Sequence, residues 1–64
     1  MTFKQFQDLQ VGDLVQPSVY GERKRLGVGL VVDKWGKNKL KVAINGSINW
    51  TTRQQMIIFN QEEQ

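Results

Sequence analysis

The sequence predicts a small all-β protein of five strands, and three features of the chain carry this prediction. Residues 39–44 alternate strictly between apolar and other side chains, which is the period of a half-buried strand. Asn45-Gly46 follows directly, and Asn-Gly between two such runs is typical of a β-hairpin because both residues tolerate positive φ. Residues 26–35 are rich in β-branched side chains and contain two glycines, which indicates a strand bent by a bulge or a close backbone approach.

The first half of the chain predicts one strand and a loop before this bent strand. Phe6 and Leu9 form a lead-in to an apolar run over 11–15, and the strand ends at Pro17 because proline lacks the N–H that a ladder needs. Residues 18–25 are polar and predict a loop, of the length that small barrels use for recognition.

The second half predicts three more strands joined by short turns. Residues 36–38 form a turn, and the strand over 39–44 directs Leu40, Val42 and Ile44 to the core. The return strand covers 47–50, residues 51–55 form a single helical turn, and a short strand over 56–59 ends the fold. No apolar 3.6-residue period predicts a longer helix. We expect Trp50 and Phe59 in the core and Phe6 as a cover on one end.

The length of the chain predicts one domain over residues 1–64, with its core in about 8–59 and an acidic tail at 60–64. A chain this short buries only about 60% of the surface that its unfolded form exposes, so a deep catalytic cleft is not expected. Cysteine and histidine are both absent, which excludes disulfides, thiolate chemistry and the usual zinc ligands. We therefore predict no enzyme, no catalytic residue, no metal and no cofactor.

The N-terminal residues contain no apolar stretch typical of a signal peptide, and no segment approaches the roughly 18 apolar residues of a membrane span. The sequence predicts a soluble, cytoplasmic protein that does not act at a membrane.

The order of elements and several local motifs resemble SH3-like barrels. Val11-Gly12-Asp13-Leu14-Val15 is similar to the opening of many such domains, and residues 27–32 resemble the glycine-rich second strand of KOW-like barrels. Trp50 followed by residues 56–58 looks like their closing segment. The resemblance covers roughly residues 8–59 and implies a five-stranded SH3-like barrel that binds RNA, DNA, peptides or scaffolds. The compact format also resembles small accessory proteins of tailed bacteriophages, which implies a location in the host cytoplasm or the virion.

The formal charge of +3 is concentrated in the middle of the chain. Residues 20–41 carry seven lysines and arginines against two carboxylates, a net charge of +5. If the loop and the neighbouring strand adjoin, they form one basic surface, whose candidate partner-binding residues are Tyr20, Arg23, Lys24, Arg25, Trp35, Lys37, Lys39 and Lys41. The alternative is a solvated surface whose edge lysines prevent strand-to-strand aggregation.

Three interpretations of this surface remain open. The first is a protein-interaction module, in which the loop with Tyr20 and the turn with Trp35 contact a partner chain. The second is nucleic-acid binding through phosphate contacts, with affinity that falls steeply as salt rises. Two aromatic residues beside the charges are too few for a base-stacking platform, which favours the first. The third is self-association through unpaired edges at the first and last strands.

Overall fold

The computed structural model describes residues 1–59, in which two short helices and five strands follow in the order α1, β1, α2, β2, β3, β4, β5. The elements are α1 Phe3–Asp8, β1 Leu14–Pro17, α2 Tyr20–Leu26, β2 Gly29–Trp35, β3 Lys39–Ile44, β4 Ser47–Thr52 and β5 Met56–Ile58. The predicted all-β class with five strands is confirmed. The predicted acidic tail lies outside the described residues.

The five strands form one antiparallel sheet in the order β4-β3-β2-β1-β5. Among residues 1–59, β4 and β5 are the two edges and do not pair with each other, so the ladder is open rather than closed into a barrel. The sequence-based assignment of the first strand to an edge is wrong, because β1 lies between β2 and β5. The assignment of the last strand to an edge is confirmed.

The Asn-Gly hairpin fixes the register of the β3–β4 pair. Asn45 and Gly46 have φ of 52° and 79°, the left-handed values that a two-residue turn requires. The ladder begins with Ile44 opposite Ser47 and continues to Lys39 opposite Thr52. β4 is therefore longer than predicted, and the helical turn expected over 51–55 is reduced to a tight turn in which the Gln55 N–H donates to the Thr52 carbonyl at 3.1 Å.

Both helices are absent from the sequence-based prediction. α1 begins with a capping box, in which the Thr2 hydroxyl accepts from the Gln5 N–H and the Gln5 side chain accepts from the Thr2 N–H. α2 occupies the segment predicted as a loop and ends at Gly27, whose φ of 77° suits a helix C-terminus.

The core lies on one side of the sheet and is mostly aliphatic. Within residues 1–59, the buried apolar residues are Phe6, Leu9, Val15, Val31, Leu40, Val42 and Met56. Leu40 and Val42 are buried and Ile44 packs against them, so the predicted inner face of β3 is confirmed. Phe6 is buried as expected. Trp50 is not: 49% of its surface is exposed, so its assignment to the core is wrong, and Phe59 is only half-buried.

At Gly29, β2 lies too close to side chains of β3 to admit a larger residue. A Cβ added there would lie 2.5 Å from Val42 Cγ1 and 3.1 Å from Ile44 Cβ, so only glycine fits without displacement of the neighbouring strand. The register also shifts between Val31 and Asp33. The close approach and the irregularity predicted from the glycine-rich strand are both present.

Candidate functional site

The outward face of β2, β3 and β4 brings two tryptophans and two lysines together. In the ladders, Trp35 stands opposite Lys39, and Lys41 stands opposite Trp50. Directly opposed residues of a sheet lie on the same face, and residues two apart on one strand do so as well. We call these four residues, Trp35, Lys39, Lys41 and Trp50, the Trp–Lys face.

Trp35, Lys39 and Trp50 of the Trp–Lys face are exposed, and Lys41 is half-buried. Trp35 is 71% exposed. The Lys41 ammonium lies 5.8 Å from the centre of the Trp50 ring, a cation–π distance that holds this indole beside the charge. Trp35, Lys39 and Trp50 line a shallow pocket of about 400 Å³. The face therefore offers two aromatic walls with a cation between them.

Further charges border this face. Lys37 lies exposed in the turn between β2 and β3, next to the Trp35 end of the sheet. Asp33 stands opposite Lys41 and is the carboxylate of this region, but it accepts a hydrogen bond from the Lys34 N–H at 2.8 Å. Three lysines against one aspartate leave this end of the sheet positively charged.

The predicted basic loop is helix α2, and two of its three cations have partners within the fold. Arg23 donates from Nε to the Pro17 carbonyl at 3.0 Å and from Nη2 to the Ser18 carbonyl at 3.1 Å. Its side chain thus ties α2 to the end of β1. Arg25 is paired with Glu22 one turn away. The Arg23 side chain therefore joins α2 to β1, and the Arg25 side chain forms an ion pair within α2.

The other two candidate residues on α2 are Tyr20 and Lys24. Tyr20 is 66% exposed, and both the Lys24 ammonium and the Arg23 guanidinium lie against its ring, at 5.7 and 5.6 Å. The tyrosine is thus a second exposed aromatic beside positive charge. It belongs to a helix that packs on β1.

The predicted site residues fall into two separate groups. α2 borders a groove of about 600 Å³ whose opposite wall contains inner-face residues such as Val42 and Ile44. Lys39 and Lys41 project from the other face of the sheet, on β3. The structure therefore brings Trp35, Lys39 and Lys41 together and places Tyr20 to Arg25 on the inner side. Trp50, on the edge strand, lines both openings.

Lys34, one of the seven lysines and arginines of residues 20–41, contributes to the fold. Its ammonium donates to the Leu9 carbonyl at 2.6 Å and to the Gln7 carbonyl at 3.3 Å, and it lies 4.8 Å from the centre of the Phe6 ring. These contacts satisfy carbonyl groups at the end of α1 and join that helix to β2.

Trp50 is the site residue that the sequence analysis missed, although the sequence contains the signal for it. A two-residue Asn-Gly hairpin pairs Ile44 with Ser47, and counting outward from that pair places Trp50 opposite Lys41. Since Lys41 belongs to the outward set of β3, Trp50 must share that face. The sequence analysis instead assigned Trp50 to the core, because a small domain usually buries its tryptophans.

Aliphatic side chains continue the outward face toward β1. Leu14 pairs with Leu30, Leu30 with Ala43, and Ala43 with Ile48, so one row crosses four strands. Leu14, Leu30 and Ile48 are 45%, 41% and 59% exposed. An exposed apolar row of this extent is a feature of interaction surfaces.

Residues 1–59 contain neither a cluster of metal-binding side chains nor a membrane-spanning helix. No group of three or more acidic side chains is arranged to hold a metal ion there. None of the helices in that range is long and apolar enough to cross a membrane.

Comparison with protein-family models, curated proteins and solved structures found no match to this chain. The resemblance to SH3-like and KOW-like barrels therefore stays a prediction.

Proposed function

We propose that this chain is a non-enzymatic nucleic-acid-binding module whose contact surface is the Trp–Lys face together with Lys37. The observation that supports the proposal is the position of two exposed tryptophans on either side of Lys39. Nucleic acids offer phosphates for lysines and planar bases for aromatic rings, and proteins that bind single strands combine a basic surface with such rings.

The exposed position of Trp50 reverses the order of the interpretations drawn from the sequence. The two rings that the sequence places beside the charges, Tyr20 and Trp35, lie apart in the structure, because Tyr20 belongs to α2 and Trp35 to the Trp–Lys face. With Trp35 and Trp50 on one face, two indoles and two lysines share a small area. Within residues 1–59, the ammonium groups of Lys39 and Lys41 have no hydrogen-bonded partner, whereas the side chains of Arg23 and Lys34 do.

A protein partner is the second candidate, and the aliphatic row supports it. Leu14, Leu30 and Ile48 offer no stacking surface for a base, but they suit the apolar centre of a protein interface. In this alternative the chain is an interaction module, as an accessory or assembly protein of a phage would be, and the Trp–Lys face forms one end of the interface.

The test is a salt titration of oligonucleotide binding by fluorescence anisotropy, starting at about 50 mM salt, where phosphate contacts are strongest. We expect binding with a linear fall of log K against log salt. Replacement of Lys37, Lys39 and Lys41 by Gln removes three phosphate contacts and should reduce the slope for a single strand by about 2, since each contact contributes about 0.7.

The control variant replaces Lys4, Lys24 and Arg25 by Gln, which removes the same charge from other parts of the surface. Its slope should change much less if contact, rather than net charge, is responsible. Absence of binding at about 50 mM salt would overturn the proposed function. Equal losses in the two triple variants would show that the Trp–Lys face is not the contact surface.

A further inference from the structure

We propose that the pocket between Trp35 and Trp50 captures one unpaired nucleobase, with Lys39 and Lys41 on the adjoining phosphates, so that the chain selects single strands over duplexes. This inference rests on the proposed function and adds the form of nucleic acid that the face recognises. It is carried by the spacing of the two strands that hold the indoles, by the exposure of the indoles and by the charge on the strand between them.

The spacing of the strands leaves room for a base between the two indoles. Trp35 and Trp50 lie on β2 and β4, which flank β3, so their backbones are about 10 Å apart across the sheet. Their paired positions on β3, Lys39 and Lys41, are two residues apart, which adds about 7 Å along the strands. Together the two offsets separate the backbones by about 12 Å. A ring in contact with both indoles needs walls about 7–8 Å apart, since each contact is about 3.5–4 Å, so base capture requires the two indoles to lean toward each other over the pocket that they line.

The size of the pocket agrees with a ligand of this kind. About 400 Å³ lies within the roughly 300–1,000 Å³ of small-molecule sites, and three side chains, two of them aromatic, line it. The pocket is open on its solvent side, since Trp35 is 71% exposed. A base that belongs to a continuous strand therefore enters without any part of the fold moving aside.

The ammonium groups of Lys39 and Lys41 are positioned to contact the phosphates on either side of the captured base. Lys39 lies between the two indoles in the pocket wall, and Lys41 lies against Trp50 at 5.8 Å. A base held between the rings brings its flanking phosphates close to these two ammonium groups. Asp33 opposes Lys41 on this face, so the strand is expected to run on the Lys39 side, toward Lys37.

A duplex does not fit this arrangement as well. Its bases are stacked on one another and paired, so an indole reaches a base face only after the base leaves the stack, which costs free energy. Phosphate contacts alone remain available to a duplex. The difference between the two forms should equal the contribution of a stacked base, about 5- to 150-fold in affinity.

The chain provides its own probe for this site, because Trp35 and Trp50 are its only two tryptophans. Intrinsic tryptophan fluorescence therefore reports on the pocket directly. We would titrate the protein at about 50 mM salt with a thymidine 12-mer, with an abasic 12-mer that carries the same phosphates, and with a 12-base-pair duplex. The first should quench the fluorescence and bind at least 5-fold more tightly than the other two.

Substitutions then assign the effect to the indoles. Trp35→Leu and Trp50→Leu should each weaken binding of the thymidine 12-mer by about 5- to 150-fold, measured by anisotropy of a labelled strand. Tyr20→Leu is the matched control, because Tyr20 is an exposed aromatic beside positive charge on α2. Its affinity should be unchanged. Circular dichroism measures whether each variant is folded. If Trp50→Leu unfolds the chain, Trp35→Leu still tests base capture, because Trp35 is the more exposed indole.

The outcomes separate this inference from the proposed function. Equal affinity for the abasic and thymidine strands, equal affinity for the duplex, or insensitivity to Trp35→Leu would overturn base capture, while a lysine-dependent salt slope would leave nucleic-acid binding in place. Failure to bind any of the three probes would overturn both.

Discussion

The two faces of the same three strands differ in a way that the composition of the chain does not suggest. On the inner face, Val31, Leu40 and Val42 are at most 2% exposed. On the outer face, Trp35 and Trp50 are 71% and 49% exposed. Aromatic side chains bury 150–250 Å² each and usually dominate the core of a small domain. Here the aliphatic side chains form most of the core and both indoles lie outside it.

This difference indicates that the two faces of the sheet have separate roles. A chain of 64 residues has few large side chains, and two tryptophans left in water forgo a large part of the hydrophobic stabilisation available to it. We infer that the inner face determines stability and the outer face determines binding. Substitutions on the two faces should therefore have separable effects.

Leu40→Ala against Trp50→Leu is the strongest test of this separation. Leu40 is fully buried, so truncation to Ala should lower the free energy of unfolding by about 2–5 kcal/mol. That is comparable to the whole stability of a domain this small, and the variant should be largely unfolded at 25 °C. Trp50 is 49% exposed and leucine retains part of its apolar contact, so Trp50→Leu should cost about 1 kcal/mol or less. Urea unfolding followed by circular dichroism measures both, and equal losses would contradict the division between the faces.

Gly29→Ala tests the inner face at a finer scale. The added Cβ would lie 2.5 Å from Val42 Cγ1, so β2 and β3 must separate or Val42 must leave its position, at about 1–3 kcal/mol. Gly21→Ala is the matched control, because among residues 1–59 nothing beyond its chain neighbours and the backbone of its own helix lies within 4 Å of its Cβ position, and it lies inside α2. There alanine should stabilise the chain by about 0.5–1 kcal/mol. Thermal unfolding should give shifts of opposite sign, and shifts of the same sign would contradict this account of the close approach.

The sequence predicted β3 and its inner face correctly because the alternation and the turn agree. Leu40, Val42 and Ile44 alternate with the period of a strand, and Asn45-Gly46 allows one register for the hairpin. Local pattern and local turn chemistry carry this prediction, and no long-range contact is needed. The close approach at Gly29 and the register shift after Val31 were also predictable from local sequence, because two glycines lie in this segment.

The helices and the site could not be derived in the same way. α2 has no apolar period because none of its residues is buried, although its charged residues favour a helix. α1 is six residues long, and its only sequence signal is the Thr2 and Gln5 capping pair. Whether Arg23 faces a partner or the Pro17 carbonyl depends on how α2 packs on β1, and this packing is a tertiary contact that residue spacing does not reveal.

The smallest expected effect concerns one end of the inner face, where Met1 packs against the core. The Met1 ammonium donates to the Arg53 carbonyl at 2.6 Å and to the Met56 carbonyl at 2.9 Å, across the turn between β4 and β5. Burial, and then the Arg53 guanidinium, lower the pKa of this amine below its ordinary value of 8.0. The folded state therefore releases its proton at a lower pH than the unfolded state does.

Between the lowered pKa and about pH 8, the unfolded state binds more protons, so stability should rise slightly with pH through this window and level off above it. The chain contains no histidine or cysteine, so no side chain with an ordinary pKa near neutrality obscures the effect. Urea unfolding at half-unit steps from pH 6 to 9 measures it, and N-terminal acetylation, which removes the titrating group, is the control. A flat profile in the free-amine chain, or the same slope after acetylation, would show that this contact does not couple protonation to folding.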